Sequence, residues 1–500
     1  MNRTLKRTLA FSAVATALAI APIAQATNGY FKIGYGSKNR GMAGAGMAFG
    51  QDSLASAVNP ATLAGIGNRV DAGVELFNPQ REGAVDARGM FVPDLGGAGP
   101  RQGTNSREDS GATVFAIPNF GMSRELSSRM TVGLSLVANG GMNTRYGDPD
   151  DGTGNIYTDA FAPVIGDTST SAFQPGPSGF AGFLEAFQGV PAGNIDPNLA
   201  NLYMNPNTTP SLGVNLVQLL ITPTVAYQLS DNHSVGIAPV IGYQRFRAYG
   251  LGLFQAFSSD PGNVTNKGDD DAWGLGGRIG YQGNFGWLSI GASYTSQIYM
   301  QEFDDYAGLF AEEGDFDIPS TYGIGLAITP TSRLTIAADV TRINYSDVAA
   351  INNEGPTADE FFNAFTGALV GNPAMVSNPL GTDDGWGFGW DDVTVYKIGV
   401  NYAYNNQWTF RAGYNYAESP YDDDQVLFNV IAPGLVEQHA TVGFTYMPTP
   451  NNELTVTYMH AFRNDQSFDY EGTGGFTGFG FSVDNAMSQN AIEASYAWKF

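Results

Sequence analysis

The feature that most constrains this chain is a hydrophobic pattern of period two, sustained over long stretches. Leu454, Val456 and Tyr458 share one face, while Thr455, Thr457 and Met459 share the other. Leu334, Ile336, Ala338 and Val340 alternate with Thr335, Ala337, Asp339 and Thr341. Trp408, Phe410, Ala412, Tyr414 and Tyr416 alternate with Thr409, Arg411, Gly413 and Asn415. A period of two is the signature of strands with one apolar and one polar face. About fourteen such strands are expected between Val70 and Phe500. Their connections alternate strictly, with short ones at 123–128, 230–233, 283–286, 329–332, 405–407 and 448–452. Long ones fall between, above all 143–210 and 349–389, and also 80–110 and 463–488.

An even number of strands, with tight turns at one end and long loops at the other, is the plan of a transmembrane antiparallel β-barrel. Many of the strands exceed the soluble mean of roughly 5–6 residues. A closed barrel places that much strand in hydrocarbon without an unpaired edge. Every second residue then faces the lumen, so low overall hydropathy is expected, and Tyr and Trp near strand ends suit interfacial girdles. Past residue 26 no apolar run approaches the roughly 20 residues of a membrane-crossing helix.

Composition narrows the function. Asp plus Glu number 48 against 24 Lys plus Arg, and there is no cysteine. A disulfide framework, a thiolate metal site and a Cys nucleophile are excluded. An acidic chain without basic stripes argues against nucleic acid as a partner. The acids gather in expected loops: Asp148, Asp150 and Asp151; Asp269, Asp270 and Asp271; Asp383 and Asp384; Asp422, Asp423 and Asp424. Solvated loop acids are the default reading, with a divalent cation bridging them to lipopolysaccharide as the alternative. Three scattered histidines, His233, His439 and His460, suggest no triad, and no cofactor, metal centre or catalytic residue is expected.

Residues 1–26 read as a secretory signal: Arg3, Lys6 and Arg7 precede an apolar stretch that ends at Ala24-Gln25-Ala26. Its removal would take the net charge from −24 to −27. Residues 27–69 have a different texture, rich in Gly and Ala and without alternation. At roughly the ~40-residue limit for independent folding, the segment is either a periplasmic tail or a plug inside the barrel lumen.

The motifs resemble those of the FadL-type outer-membrane transporters of long-chain fatty acids and other hydrophobic compounds. The cues are Gly41-Met42-Ala43-Gly44-Ala45-Gly46, Asp52, and Asn59-Pro60-Ala61 ahead of the first strand. Trp273 within 270–276, Gln407 to Gly413, Glu418-Ser419-Pro420 and Tyr458-Met459-His460 add to them. The resemblance implies a fourteen-stranded barrel closed by an N-terminal hatch (27–69), with 70–500 forming the wall. It further implies capture in a groove of the extracellular loops, a pocket above the hatch, and lateral exit through a kink in the third strand. Uptake would be passive, from the outer membrane of a Gram-negative bacterium. The terminal aromatic strand, ending at Phe500, would address the barrel-assembly machinery. A general diffusion porin for polar solutes, or less readily an outer-membrane enzyme, is the alternative.

Several residues are candidates for these roles. Phe180, Phe183, Leu184, Phe187 and Val190 share one helical face. Leu251, Leu253, Phe254 and Phe257 form a second apolar cluster. Phe361, Phe362, Phe365 and Leu369 follow Thr357 and Glu360, a capping-box spacing. Each cluster either captures apolar ligand or simply packs its loops together. Asn139, Gly140 and Gly141, with Ala138, mark either a gate or the end of the third strand. Asn59-Pro60 is a turn signal, which the resemblance raises to a contact between hatch and wall. Arg245 and Arg247 share a strand face opposite Phe246 and Ala248, so they are expected to point inward and bind a ligand carboxylate. Arg278, Lys397 and Arg411 are lumenal by the same parity. The alternative partners for all of them are Asp71, Glu75, Asp339 and Glu493.

Overall fold

The computed structural model describes residues 28–92, 101–148, 154–165, 211–370 and 372–500. Among them fourteen antiparallel strands close into a cylinder. They are β1 (Arg69–Asp86), β2 (Phe115–Ser127), β3 (Met130–Asn143), β4 (Gly213–Ser230), β5 (His233–Tyr249), β6 (Asp270–Asn284) and β7 (Leu288–Thr295). The ring continues through β8 (Thr321–Thr331), β9 (Leu334–Ile343), β10 (Val393–Ala403), β11 (Trp408–Tyr416), β12 (Gln438–Thr449), β13 (Asn452–Glu471) and β14 (Gly480–Lys499). Each strand pairs with its chain neighbour, and β14 pairs with β1 from Arg69↔Lys499 to Asp86↔Ser482, which closes the ring. The outward positions carry Leu76, Ile237, Ile279, Ile324, Ile398 and Ile492, all exposed, as a wall facing lipid requires. The alternate positions turn inward and are polar: Asp71, Glu75, Asn119, Arg278, Asp339 and Glu493 are buried.

Two strands run farther than their apolar pattern. The expected loop 463–488 is mostly ladder, because β13 and β14 are each 20 residues long and pair as far as Glu471↔Gly480. At ~3.4 Å per residue they rise beyond the hydrocarbon. There the outer face meets water, so apolar alternation lapses while pairing persists. In the same way β1 extends to Asp86, inside the expected loop 80–110, and pairs with a short strand at Asn105–Asp109.

Residues 28–68 lie inside the cylinder. They form helical turns at Ser37–Arg40, Ser53–Ala57 and Pro60–Leu63. Asp52 caps the second by accepting from Leu54 N at 3.1 Å, and Asn59 caps the third by accepting from Ala61 N at 3.1 Å. With turns this short, most of the segment's order comes from the wall.

Candidate functional site

The lower lumen is organised by charge. Arg40 pairs with Glu75 of β1 and, at 3.2 Å, with Glu493 of β14, while Lys32 takes the second oxygen of Glu75. Ser37 and Asn119 also donate to Glu493, at 3.2 and 2.8 Å. Lower down, Lys38 and Arg69 converge on Glu453, and Arg69 also pairs with Asp71 at 2.6 Å. Asp339 accepts the backbone N–H groups of Gly46 and Met47 at 2.7 and 2.9 Å. The Asn59 side chain donates to the carbonyls of Met47 and Tyr281, and Ser234 donates to the Ala61 carbonyl at 3.1 Å. The wall is shaped for this fit: a Cβ on Gly280 would stand 2.0 Å from Asn59 Oδ1. Arg278, Lys397 and Arg411 do face the lumen. Arg278 bonds Thr295 and the Ser56 carbonyl, and Arg411 bonds Gln51 and Thr445.

The third strand breaks the wall. β2 and β3 pair from Ser127↔Met130 only to Phe120↔Leu136. Beyond that point Phe115–Asn119 pairs with β1 alone and Val137–Asn143 with β4 alone, leaving a window between the strands. The β3–β4 register slips between Ala138 and Gly140, and the strand turns inward rather than ending. Its freed edge is taken by the inner segment. Lys32 N donates to the Asn139 carbonyl at 2.9 Å, Gly141 N donates to the Tyr30 carbonyl at 3.4 Å, and Phe31 bridges Gly140. A Cβ on Gly140 would fall 1.9 Å from the Tyr30 carbonyl oxygen, so glycine is what allows the approach. The Asn139 side chain accepts from Tyr35 OH at 2.7 Å and donates to Gln218 at 3.0 Å. Above the window the chain is rejoined where Gly111 N donates to the Arg145 carbonyl at 2.8 Å. A smaller break in the β4–β5 ladder skips Thr222–Thr224, where Pro223 comes opposite Pro239 and neither supplies an N–H.

The upper lumen is apolar. Phe246 packs on Phe303, Tyr306 and Phe310; Phe310 packs on Phe316, and Phe316 on Tyr30, which also touches Tyr345 and Trp390. A second run joins Tyr157, Phe254, Phe257 and Phe361. Leu251, Leu253, Phe254 and Phe257 are all buried in it. The helix Ala358–Val370 buries Phe361, Phe362 and Phe365 behind the expected capping box, in which Thr357 N donates to Glu360 at 2.9 Å. Between these rings lies a cavity of about 40 Å³, lined by residues including Phe246, Leu251, Phe254, Trp386 and Phe428. An engineered cavity that admits benzene is roughly 150 Å³, so the roof is closed in this conformation. A second cavity of about 80 Å³ runs beside the inner segment past Phe31, Tyr35, Asn139, Ile298 and Arg278.

Arg245 and Arg247 are not lumenal. They are 37% and 46% exposed and pair with Asp271 and Asp269 at 2.8 Å, while Phe246 between them is 2% exposed. The parity expected from the sequence is inverted because this end of β5 stands above the hydrocarbon. There the outer face is wet and the inner face meets the aromatic roof, so the apolar residue marks the inside. Phe180, Phe183, Leu184, Phe187 and Val190 lie outside the described residues, as does the side chain of Leu369. The sequence reading missed Lys32, Lys38 and Arg40 as the partners of the lumenal acids. Three cations in nine residues, facing an acid-rich wall, were the available signal.

A family model described as outer membrane protein transport protein (OMPP1/FadL/TodX) matches residues 198–500. Among solved structures, the chain is similar to the Pseudomonas putida toluene transporter TodX, at 17% identity over 95% of this chain and 100% of that one, with a TM-score of 0.57. It is also similar to a Pseudomonas aeruginosa FadL homologue, at 16% over 94% and 100%, TM-score 0.58. The Ralstonia pickettii toluene transporter TbuX shares 18% over 94% and 99%, TM-score 0.51. At these identities the likeness is one of fold. No curated protein matches the sequence.

Proposed function

The chain belongs to the OMPP1/FadL/TodX family of outer membrane transport proteins, and on that premise we propose that it admits hydrophobic molecules passively through the outer membrane. Residues 28–68 act as a hatch that stays seated. Cargo is captured under the aromatic loops, passes along the ring stacks and leaves sideways through the window between β2 and β3. Residues 1–26 serve as the export signal, Phe500 as the address for barrel assembly, and no covalent chemistry is performed. Two of the structural relatives are toluene transporters. The cargo class is therefore taken as mostly hydrocarbon, aromatic or long-chain.

The observation that supports this reading is the unpaired stretch between β2 and β3, which lies above a floor held by buried ion pairs. Energetics favour the sideways route. A long acyl chain has on the order of 15 methylenes worth ~0.8 kcal/mol each on burial, so release into water would cost on the order of 10 kcal/mol. A lateral exit keeps the chain among apolar groups throughout.

The test uses cells with and without the gene, and a variant with Pro118→Cys and Ala138→Cys. These positions would face each other if the β2–β3 ladder continued. The chain has no cysteine, so a bridge formed there would be the sole one. Oxidation should lower uptake of labelled hydrocarbon to the gene-free background, and reduction should restore it. Undiminished uptake through a bridged window would overturn lateral exit.

A further inference from the structure

Arg81 stands on β1, above the last β1–β2 pair, Phe77↔Phe115. Its side chain is buried, yet no carboxylate forms an ion pair with it among the described residues. Nη1 donates to the carbonyl of Asn143, the last residue of β3, and Nη2 to the carbonyl of Ala112, just ahead of β2. The two strands that part to make the window are thus tied at its top by a guanidinium from a third strand, alongside the direct bonds between Ser110, Gly111 and Arg145. The ring of Phe115, on the window's edge, lies 5.9 Å from the Arg81 Cζ. The Nε–H donates to nothing among the described residues.

We propose that Arg81 is the latch of the lateral window and that an anionic head group on the cargo releases it. The proposal rests on the transport reading above and adds a preference within its cargo class. A buried guanidinium satisfied only by neutral carbonyls retains an unmet demand for negative charge. Charge-assisted bonds are roughly twice as strong as neutral ones, and a carboxylate fits the guanidinium fork with two parallel bonds. The edge formed by Nε and Nη2 is suited to it, since among the described residues Nε is unused and Nη2 holds only the Ala112 carbonyl. A carboxylate seated there displaces that carbonyl and loosens the β2 side, leaving the Gly111–Arg145 bonds as its remaining tie to β3, while a pure hydrocarbon has nothing to offer in exchange. Carboxylate-bearing cargo therefore widens its own exit, and neutral cargo passes at the latched width.

Two measurements decide the matter. The first compares uptake of a long-chain fatty acid and of the alkane of matched length, in wild type, Arg81→Gln and Arg81→Lys, with barrel folding checked by the shift on unheated gels. The ratio of fatty-acid to alkane uptake should fall about tenfold in Arg81→Gln. Arg81→Lys should recover only part of it, because an ammonium lacks the fork. A ratio unchanged in both variants would make Arg81 a structural tie and overturn the latch. If wild type carries neither compound above the gene-free background, the transport reading itself fails. The second measurement keeps Arg81 and places spin labels through Val114→Cys and Asp148→Cys, on either side of the window. Their separation should lengthen on adding the fatty acid and stay fixed with the alkane. No change with fatty acid would contradict the proposal whatever the variants do.

Discussion

The two halves of the lumen are held together by different forces. Below, the inner segment is fastened by buried ion pairs and by backbone bonds to lumenal acids, of which Arg40 between Glu75 and Glu493 is the centre. Above, the same cylinder is filled by rings that pack on one another, from Phe246 to Tyr30. Buried charge pairs have a single satisfied geometry, and separating them exposes both members to a low dielectric. Aromatic packing is non-directional by comparison and tolerates rearrangement. The lower half is thus suited to remain shut while the upper half adapts, and the window lies where the two meet.

The sharpest way to break that contrast is Glu75→Ala, which leaves Lys32 and Arg40 short of their shared anion. Removing one partner of a buried pair costs about 3–5 kcal/mol. The floor should unseat, and steady ionic current should appear in planar bilayers. A variant that stays as closed as wild type would show that charge does not hold the floor. Gly280→Val presses on Asn59 and should cost about 1–3 kcal/mol, by analogy with overpacked cores, seen as faster proteolysis within residues 28–68. Phe254→Ala enlarges the roof cavity and should raise uptake of bulky hydrocarbons relative to small ones several-fold, about 1 kcal/mol in selectivity. Equal effects on both sizes would take that cavity off the route.

The roof should also respond to pH. Burial, with Asp317, Glu312 and Glu302 nearby, pushes the Asp315 carboxyl up to about 7. An unfolded Asp titrates near ~3.9, so between those values the folded loop holds more protons than the unfolded one. Its stability is greatest below the lower value and is lost as pH rises through the upper. Amide protection in 304–317, corrected for the intrinsic exchange rate at each pH, should therefore be greater at pH 5 than at pH 8, with the floor less affected. The smallest effect is expected from Arg245→Ala with Arg247→Ala. Exposed pairs are worth about 0–1 kcal/mol, and uptake of both fatty acid and hydrocarbon should be unchanged.

Much of the wall was legible because period two is a local property: Leu454 to Tyr458 and Leu334 to Val340 read as strands without knowing their neighbours. The window was not, since Val137–Asn143 keeps strand character whether or not β2 pairs with it. Asn139 to Gly141 hinted at irregularity, but only the Tyr30 and Lys32 backbone bonds distinguish a kink from a strand end. Parity at Arg245 misled because alternation tells which residues share a face, and the height above the hydrocarbon decides which face is inside. The lumenal acids Glu75 and Glu493 were visible, whereas their partners in 28–68 depended on a long-range dock that no local pattern encodes.

Lateral exit requires the floor to remain in place while cargo moves. Ser37→Cys with Thr457→Cys would tie the inner segment to β13, at positions where Thr457 Oγ1 already donates to the Ser37 carbonyl at 2.7 Å. Hydrocarbon uptake should then proceed at the same rate whether the bridge is oxidised or reduced. Uptake that stops on oxidation and returns on reduction would mean that cargo passes through the floor.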